Sequence, residues 1–341
     1  MCKPDAPVHP VVGKGLMADI NAQLVKRLRE MTGAGMMECK RALQATNGDI
    51  QAAIDYLRKQ GIASAGKKES RATKQGWISS FIGENGKLGV LVEVNCESDF
   101  VARTEDFQRL SADIAAHIAE TKPKYVRVED VTQAERAHFK EREALYEQKF
   151  VGDQNTTVGD LIRTKIAKLG ENITVSRFSL YQTNSNGVIG SYVHTGNQIG
   201  VLIEVHANSQ ELTEKDEFKT LVRDVAMQIA AASPQYLSKE NVPEQVLEKE
   251  RSIQRERALG EGKPAKMVDK IAEGRMSKFY EEFCLLEQPF IRENTISVAE
   301  LIRTVSGKLG GSIRVAQFVR LKVGDAQDVP GVVESPLPVT A

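Results

Sequence analysis

The 341-residue chain lacks several features that mark common classes of protein. It has no excess of either charge, since Lys and Arg number 46 and so do Asp and Glu. A protein whose main task is to coat nucleic acid or anionic lipid normally carries a basic excess. Nucleic acid is therefore not an expected partner. No apolar run approaches the roughly 20 residues a membrane-spanning helix needs, so no membrane association is expected. Residues 1–15 hold Pro4, Pro7 and Pro10 but no apolar core, which is not the pattern of a secretory signal. Cysteine is sparse: Cys2, Cys39, Cys96 and Cys284 are scattered, none at metal-ligand spacing from another. They read as small buried hydrophobes in a reducing compartment, and the expected location is cytoplasmic.

Catalytic patterns are missing as well. Gly61-Ile-Ala-Ser-Ala-Gly66-Lys67 spells most of a phosphate-binding loop, but a helical pattern precedes it where a strand is needed. Lys68 also stands where a magnesium-binding hydroxyl belongs, so direct nucleotide binding is not expected. No pair among His9, His117, His138, His194 and His206 has the spacing of a helical zinc site, and there is no Gly-x-Ser-x-Gly elbow. His117 and His138 fall in helical patterns, where a packed or solvated histidine is the simpler reading. No catalytic residue, metal ligand or cofactor is expected, and the chain is not expected to be an enzyme.

The length allows two or three domains with their own cores. Residues 1–18 carry early Pro and Gly and are expected to be a disordered extension, with Met17 a candidate internal start. A helical unit is expected over 19–63. Ile20, Leu24, Leu28 and Met31 recur at helical spacing until Gly33. Met36, Cys39 and Leu43 mark a second helix, and Ile50, Ala53, Ile54 and Leu57 a third that is capped by Asp49 and followed by Gly61. Such a unit has the scale of a docking module, with no room for a catalytic pocket. Residues 64–76, with Lys67, Lys68, Arg71 and Lys74, read as a basic solvated linker.

The remainder is an internal duplication. Gly89-Val-Leu-Val-Glu-Val94 returns as Gly200-Val-Leu-Ile-Glu-Val205, Phe107 as Phe218, Pro123-Lys-Tyr125 as Pro234-Gln-Tyr236, and Val131 as Val242. Leu161-Ile-Arg-Thr164 returns as Leu301-Ile-Arg-Thr304, and Lys168-Leu-Gly170 as Lys308-Leu-Gly310. Leu161 lies 68 positions beyond Glu93, and Leu301 lies 97 beyond Glu204, so the second copy holds an insertion of 29 residues. The copies are expected at 77–184 and 185–325, each with a strand pair, a loop, a long helix, a connecting helix, a short helix and a last strand. In the first copy the strand pair turns at Asn85-Gly86, a hairpin signal. Strands flanking a helical middle give an α+β class with antiparallel sheets. Within the second copy, 243–285 reads as an inserted helix hairpin, because its sparse apolar residues and Gly260-Glu-Gly262-Lys-Pro264 turn suit a projecting pair. The Pro-rich end, 326–341, is expected to be a disordered tail.

Two stretches point further. They are Leu28-Arg-Glu-Met-Thr32-Gly-Ala-Gly-Met-Met-Glu-Cys39-Lys-Arg-Ala-Leu43 and Glu93-Val-Asn-Cys-Glu-Ser98-Asp99-Phe100-Val101-Ala102-Arg103. Both resemble signature segments of the bacterial elongation factor Ts family, and they stand in that family's order. The resemblance continues through Ile189-Gly-Ser-Tyr-Val-His194, Gly262-Lys-Pro264, Glu273-Gly-Arg-Met276 and Gln288-Pro-Phe290, over roughly 19–321. It implies that the helical unit is a ubiquitin-associated-like domain. It also implies a guanine-nucleotide exchange role in translation elongation, with elongation factor Tu as the partner. By the same resemblance Ser98, Asp99, Phe100 and Val101 form the segment that dislodges the partner's magnesium, with Met37 and His194 as further contacts.

Residue by residue, blander readings stand beside these. An Asp before an apolar pair is commonly a helix N-cap, with the Phe in the protein's own core. The second copy, however, has Asn208-Ser-Gln-Glu-Leu-Thr213 in the matching loop, so the Asp-Phe pair is not a requirement of the fold. His194 reads equally well as an exposed turn histidine. Met36 suits the small domain's core, and Met37 suits it less. Ser98 stands where the family usually has Thr, which keeps the hydroxyl, and the Pro-rich ending departs from the C-terminal helix of some members. Two rival functions remain: a scaffold or adaptor that docks through the helical domain, and an RNA binder that uses the basic linker.

Overall fold

The computed structural model describes residues 21–183 and 186–325, so the expected extension 1–18 and tail 326–341 lie outside the described residues. Helix α1 (Ala22–Thr32) starts at Asn21, whose side chain accepts the Leu24 N–H at 2.8 Å. It stops at Gly33, which takes a left-handed φ of 68° and donates its N–H to Arg29. Helix α2 (Met36–Ala45) and helix α3 (Ile50–Gly66), the latter capped by Asp49 on Ala52 N–H at 2.9 Å, complete a three-helix module. Its core is Val25, Leu28, Cys39, Ala42, Leu43 and Ala53.

Two expectations for this module fail. Met36 is not in the core but 54% exposed, and Met31 is 56% exposed beside it. Small side chains, Cys39 and Ala42, fill the helix contacts and leave the bulkier methionines on the rim. The third helix also runs through Gly61 to Gly66, shortening the expected linker of 64–76 at its front. A Cβ on Gly61 would lie 3.1 Å from that of Ala167, so this glycine serves a close approach inside its helix and is no stop signal.

Strands β1 (Gln75–Ile82) and β2 (Leu88–Cys96) form the expected antiparallel hairpin, with Asn85 and Gly86 both at positive φ in the turn. Helix α4 (Asp99–Ala102) is a single turn, and α5 (Glu105–Thr121) is the long helix, buried through Phe107, Leu110, Ile114 and Ile118. A small hairpin of β3 (Lys149–Phe150) and β4 (Asp153–Thr157) leads into α6 (Val158–Leu169) and β5 (Ile173–Gln182). The sheet order is β1-β2-β5, all antiparallel.

The second copy repeats these parts: β6 (Gly187–Val193), β7 (Ile199–Ala207), α7 (Gln210–Glu214) and α8 (Asp216–Ala232). After them come α9 (Glu244–Gly260), α10 (Ala265–Phe283), the hairpin of β8 (Pro289–Phe290) and β9 (Glu293–Ser297), α11 (Val298–Leu309) and β10 (Ile313–Lys322). Its sheet order is β10-β7-β6, again antiparallel. Even the bulge repeats: the register slips after Val175 on β5 and after Val315 on β10, at equivalent places.

The described residues divide into two compact units. One is the helical module, which also takes in residues 163–170, part of the expected first copy. The other holds the rest of both copies together, where the sequence suggested a separate domain for each. The reason is a second apolar layer between the two sheets, built from Ile78, Leu91, Tyr181, Ile189, Leu202, Val319 and Leu321. Strand β2 is buried on both faces, which explains its nearly continuous apolar run.

The expected connecting helix is absent from the first copy. Residues 128–147 instead form short 3-10 turns, pinned by side chains that compete for backbone donors: Asp130 takes Arg127 N–H and Glu143 takes Lys140 N–H. A bridge from Tyr125 to Ala144 closes this segment, and the equivalent bridge from Tyr236 to Cys284 closes the base of the α9–α10 hairpin. The insertion thus hangs from anchor points that both copies share. Leu247, Ala258, Val268, Ala272 and Met276 are the buried seam of the hairpin, while Leu259 and Met267 are exposed at 54% and 50%.

One buried polar substitution between the copies carries a prediction. His117 on α5 is buried, its Nδ1 accepts Val151 N–H at 3.3 Å, and its Nε2 therefore donates to Gln148 Oε1 at 2.9 Å. In the second copy Gln228 takes the same place: Oε1 accepts Ile291 N–H at 2.8 Å and Nε2 donates to Gln288 Oε1 at 3.1 Å. His117 is thus a neutral imidazole standing in for an amide, and burial holds its pKa below the usual histidine value of 6.5. Its contribution to stability is full above the unfolded value and is lost as pH falls through it, because the unfolded chain then binds the extra proton. Replacing His117 by Gln should leave the urea midpoint at pH 7.5 nearly unchanged. It should also remove part of the stability lost between pH 7.5 and 5.5. Equal losses in both proteins would refute this assignment.

Candidate protein-binding site

Strand β2 delivers Cys96 to the end of the first sheet, and the chain then turns sharply into α4. Ser98 is the N-cap: its Oγ accepts Val101 N–H at 3.4 Å. The same serine donates twice to Glu171, from its backbone N–H to Oε2 at 2.9 Å and from Oγ to Oε1 at 2.6 Å. Glu97 accepts the N–H of Asn172 at 2.7 Å and pairs with Arg71 at 3.4 Å. The loop is therefore tied to the α6–β5 turn on both sides of Ser98. Cys96 packs beneath it, its Sγ donating to Ser98 O at 3.1 Å; burial, reinforced by the Glu171 carboxylate, pushes the thiol up to about 12, so it is not a nucleophile.

On this platform Phe100 is 81% exposed, more than any other large apolar residue among those described. That excludes the reading in which the aromatic ring fills the protein's own core. Nor is Asp99 the cap; Ser98 is. Asp99 lies half exposed and pairs with Arg103 one turn on, at 3.0 Å. Such a surface pair is worth well under about 1 kcal/mol, so its carboxylate is available to a stronger partner. Val101 is half-buried. In the second copy Glu211 occupies the position of Phe100 and Gln210 that of Asp99, and Gln210 is bonded to Lys87 at 3.0 Å.

His194 closes the β6–β7 hairpin, exposed, with Nδ1 3.0 Å from the Tyr192 hydroxyl. That hairpin is fixed to the edge of β1. Asn197 donates to Ile78 O at 3.1 Å and Gln198 to Gly76 O at 2.9 Å. Gly76 pairs with Asn95, three residues before Ser98. His194 and the Ser98–Val101 segment are thereby brought to the same end of the first sheet. Met37 belongs to the separate helical unit and is 66% exposed, beside the exposed Met36 and across the Gly33-Ala-Gly35 turn from Met31. Sequence reasoning missed Glu171. The signal was the point where the duplicated Lys-Leu-Gly segments diverge, into Glu171 in one copy and Gly311 in the other.

An exposed aromatic ring, exposed methionines and a small helical module are the features of a surface suited to engaging another protein. Among the described residues no group of three or more His, Cys, Asp or Glu is placed to hold a metal ion, and no helix is long and apolar enough to cross a membrane. The family model described as Elongation factor TS matches residues 40–149 and 97–325, and the UBA/TS-N domain model matches 20–57. Among curated proteins, elongation factor Ts of Aquifex aeolicus is 44% identical over 305 residues, covering 89% of this chain and 98% of its own. That of Clostridium tetani is 42% identical, covering 90% and 94%, and that of Nostoc sp. 40%, covering 91% and 94%. The chain belongs to the elongation factor Ts family, elongation factors of protein biosynthesis.

Proposed function

We propose that this chain is a guanine-nucleotide exchange factor for elongation factor Tu in the cytoplasm. It engages the GDP-loaded partner, loosens the bound magnesium and speeds GDP release so that GTP can enter. The observation that carries this reading is the 81% exposure of Phe100 on a buttressed one-turn helix, next to a carboxylate held only by a surface ion pair.

The physics requires no covalent chemistry and no cofactor. A switch protein holds GDP through backbone amides, a lysine and a magnesium ion that bridges phosphate and hydroxyl groups. A partner shifts that equilibrium only by binding the nucleotide-free form better than the loaded form. Each 1.4 kcal/mol of preference weakens the nucleotide about tenfold. Phe100 supplies preference by burial in a site that opens only when the nucleotide pocket is distorted. Asp99 supplies it by competing for the water and hydroxyl hydrogen bonds that hold the metal. Ser98 and Val101 set the turn, while His194 and Met37 add contact from the second hairpin and the helical module.

The test is release of a fluorescent GDP from elongation factor Tu under excess GTP. Substoichiometric amounts of this protein should accelerate it at least tenfold. A folded protein that leaves the release rate unchanged would sink the exchange reading and favour an adaptor.

A further inference from the structure

The two copies share a loop but hold it differently, and the difference traces to one position. After the repeated Lys-Leu-Gly segment the first copy has Glu171 and the second has Gly311. Glu171 stands under the first loop, and both of its carboxylate oxygens accept from Ser98. At Gly311 there is no side chain, and Leu212 and Asn208 fill the space instead. A Cβ there would come well inside 3.0 Å of Leu212 Cδ1 and Asn208 Oδ1, a separation that real Cβ atoms essentially never show. Asn208 exchanges hydrogen bonds with Ser312, accepting its N–H on Oδ1 at 3.2 Å and donating its own N–H to Ser312 O at 3.1 Å. Leu212 is consequently buried at 6% exposure, whereas its counterpart Val101 stays half-buried and Phe100 stands clear.

We propose that Glu171 is a positioning residue that fixes the turn carrying Asp99 and Phe100, a support with no counterpart at Gly311 in the second copy. The inference rests on the exchange function proposed above. A carboxylate suits the task because it accepts two hydrogen bonds at once from one residue, the N–H and the hydroxyl of Ser98, and so fixes both the height and the rotation of the turn. Charge-assisted bonds of this kind are about twice as strong as neutral ones. An exposed ring presented in its bound orientation also avoids part of the ordering cost of docking. The second loop carries Gln210 and Glu211 at these positions, both exposed, and has no apolar ring to orient.

Two readouts test the proposal, one of them independent of any partner. In the free protein, amide exchange at Ser98 should accelerate at least tenfold in Glu171→Ala, with the melting temperature nearly unchanged. In the fluorescent-GDP assay, Glu171→Ala should lower the maximal release rate about fivefold while shifting the half-saturating concentration less than twofold. Glu171→Gln, which keeps one acceptor oxygen, should restore part of that loss. In a Phe100→Ala background, Glu171→Ala should have a clearly smaller further effect, because only Asp99 is left to position. Wild-type exchange at the Ser98 amide, or an equal loss of release rate in both backgrounds, would overturn the proposal. If Glu171→Ala folds poorly, Ser98→Ala cuts the hydroxyl bond from the other side and is held to the same two outcomes. Should the wild-type protein fail to accelerate GDP release, the exchange function fails, and the Ser98 amide still decides the role of Glu171.

Discussion

Phe100→Ala should slow stimulated GDP release at least tenfold while leaving the protein's melting temperature within about 1 °C. Both halves follow from the exposure of the ring. A phenylalanine that is 81% exposed in the free protein contributes little to folding, and surface substitutions away from special contacts stay within about 0.5 kcal/mol. Alanine is also the best helix former, so the turn of α4 loses nothing in backbone preference. On docking, the same ring removes apolar surface from water, which for a fully buried phenylalanine stabilises the complex by about 1.5–3 kcal/mol. Only the part realised in the distorted, nucleotide-free partner accelerates release. The full range corresponds to about 12- to 160-fold, so a loss of at least tenfold requires that most of the ring's burial be realised there. Phe100→Leu should retain part of the effect, and Glu211→Ala, at the equivalent place in the second copy, none of it. An unchanged release rate for Phe100→Ala would move the dislodging role away from this loop. A fall in melting temperature of several degrees would mean that the ring packs somewhere in solution after all.

How much of this was legible in the sequence depended on the scale of the feature. The duplication, the hairpin strands and the helix pair with its Gly262-Lys-Pro264 turn were written in local pattern, and the structure has them where the pattern put them. What was not legible came from contacts between distant segments. Met36 reads as core because it sits at helical spacing, but whether that face is inward depends on Cys39 and Ala42 filling the seam first. Residues 128–147 are rich in helix formers, yet carboxylate caps at Asp130 and Glu143 fold them into short turns. The site loop was visible as a motif, but its exposure was not. Ser98 and Glu171 lie far apart in sequence, and no periodicity links them. The union of both copies into one unit was hidden for the same reason, since apolar strands look alike whether they face a helix or another sheet.

That union supplies the second large effect, at Gly89 and Gly200, which open the repeated Gly-Val-Leu segments of β2 and β7. A Cβ on Gly200 would lie 2.5 Å from Ile78 Cγ2 and 2.9 Å from Leu91 Cδ1. A Cβ on Gly89 would lie 2.5 Å from Ile189 Cγ2 and 2.8 Å from Leu202 Cδ1. The partners are themselves equivalent residues, Ile78 with Ile189 and Leu91 with Leu202, so each copy inserts the same pair over the glycine of the other. The buried carboxylates follow the same reciprocity. Glu93 accepts Gly324 N–H beyond the last strand of the second copy, and Glu204 is hydrogen-bonded to Thr183 beyond the last strand of the first. Gly200→Val would drive a branched side chain into two fully buried residues of a layer that has no slack. Overpacking of this kind costs about 1–3 kcal/mol, and the β-branched methyl groups of Ile78 cannot swing aside, so a value at the upper end is expected. For a unit of this size that lowers the melting temperature by roughly 5–10 °C. Because the layer is shared, unfolding should remain a single transition, with both copies lost together. Two separated transitions would show that the copies fold independently, and an unchanged melting temperature would show that the sheets are not interlocked at these glycines. The cost should pass to function as well: the β6–β7 hairpin that carries His194 and the β1–β2 hairpin that leads to Phe100 are held at one end of the first sheet by this layer, so Gly200→Val should weaken exchange even below its melting point.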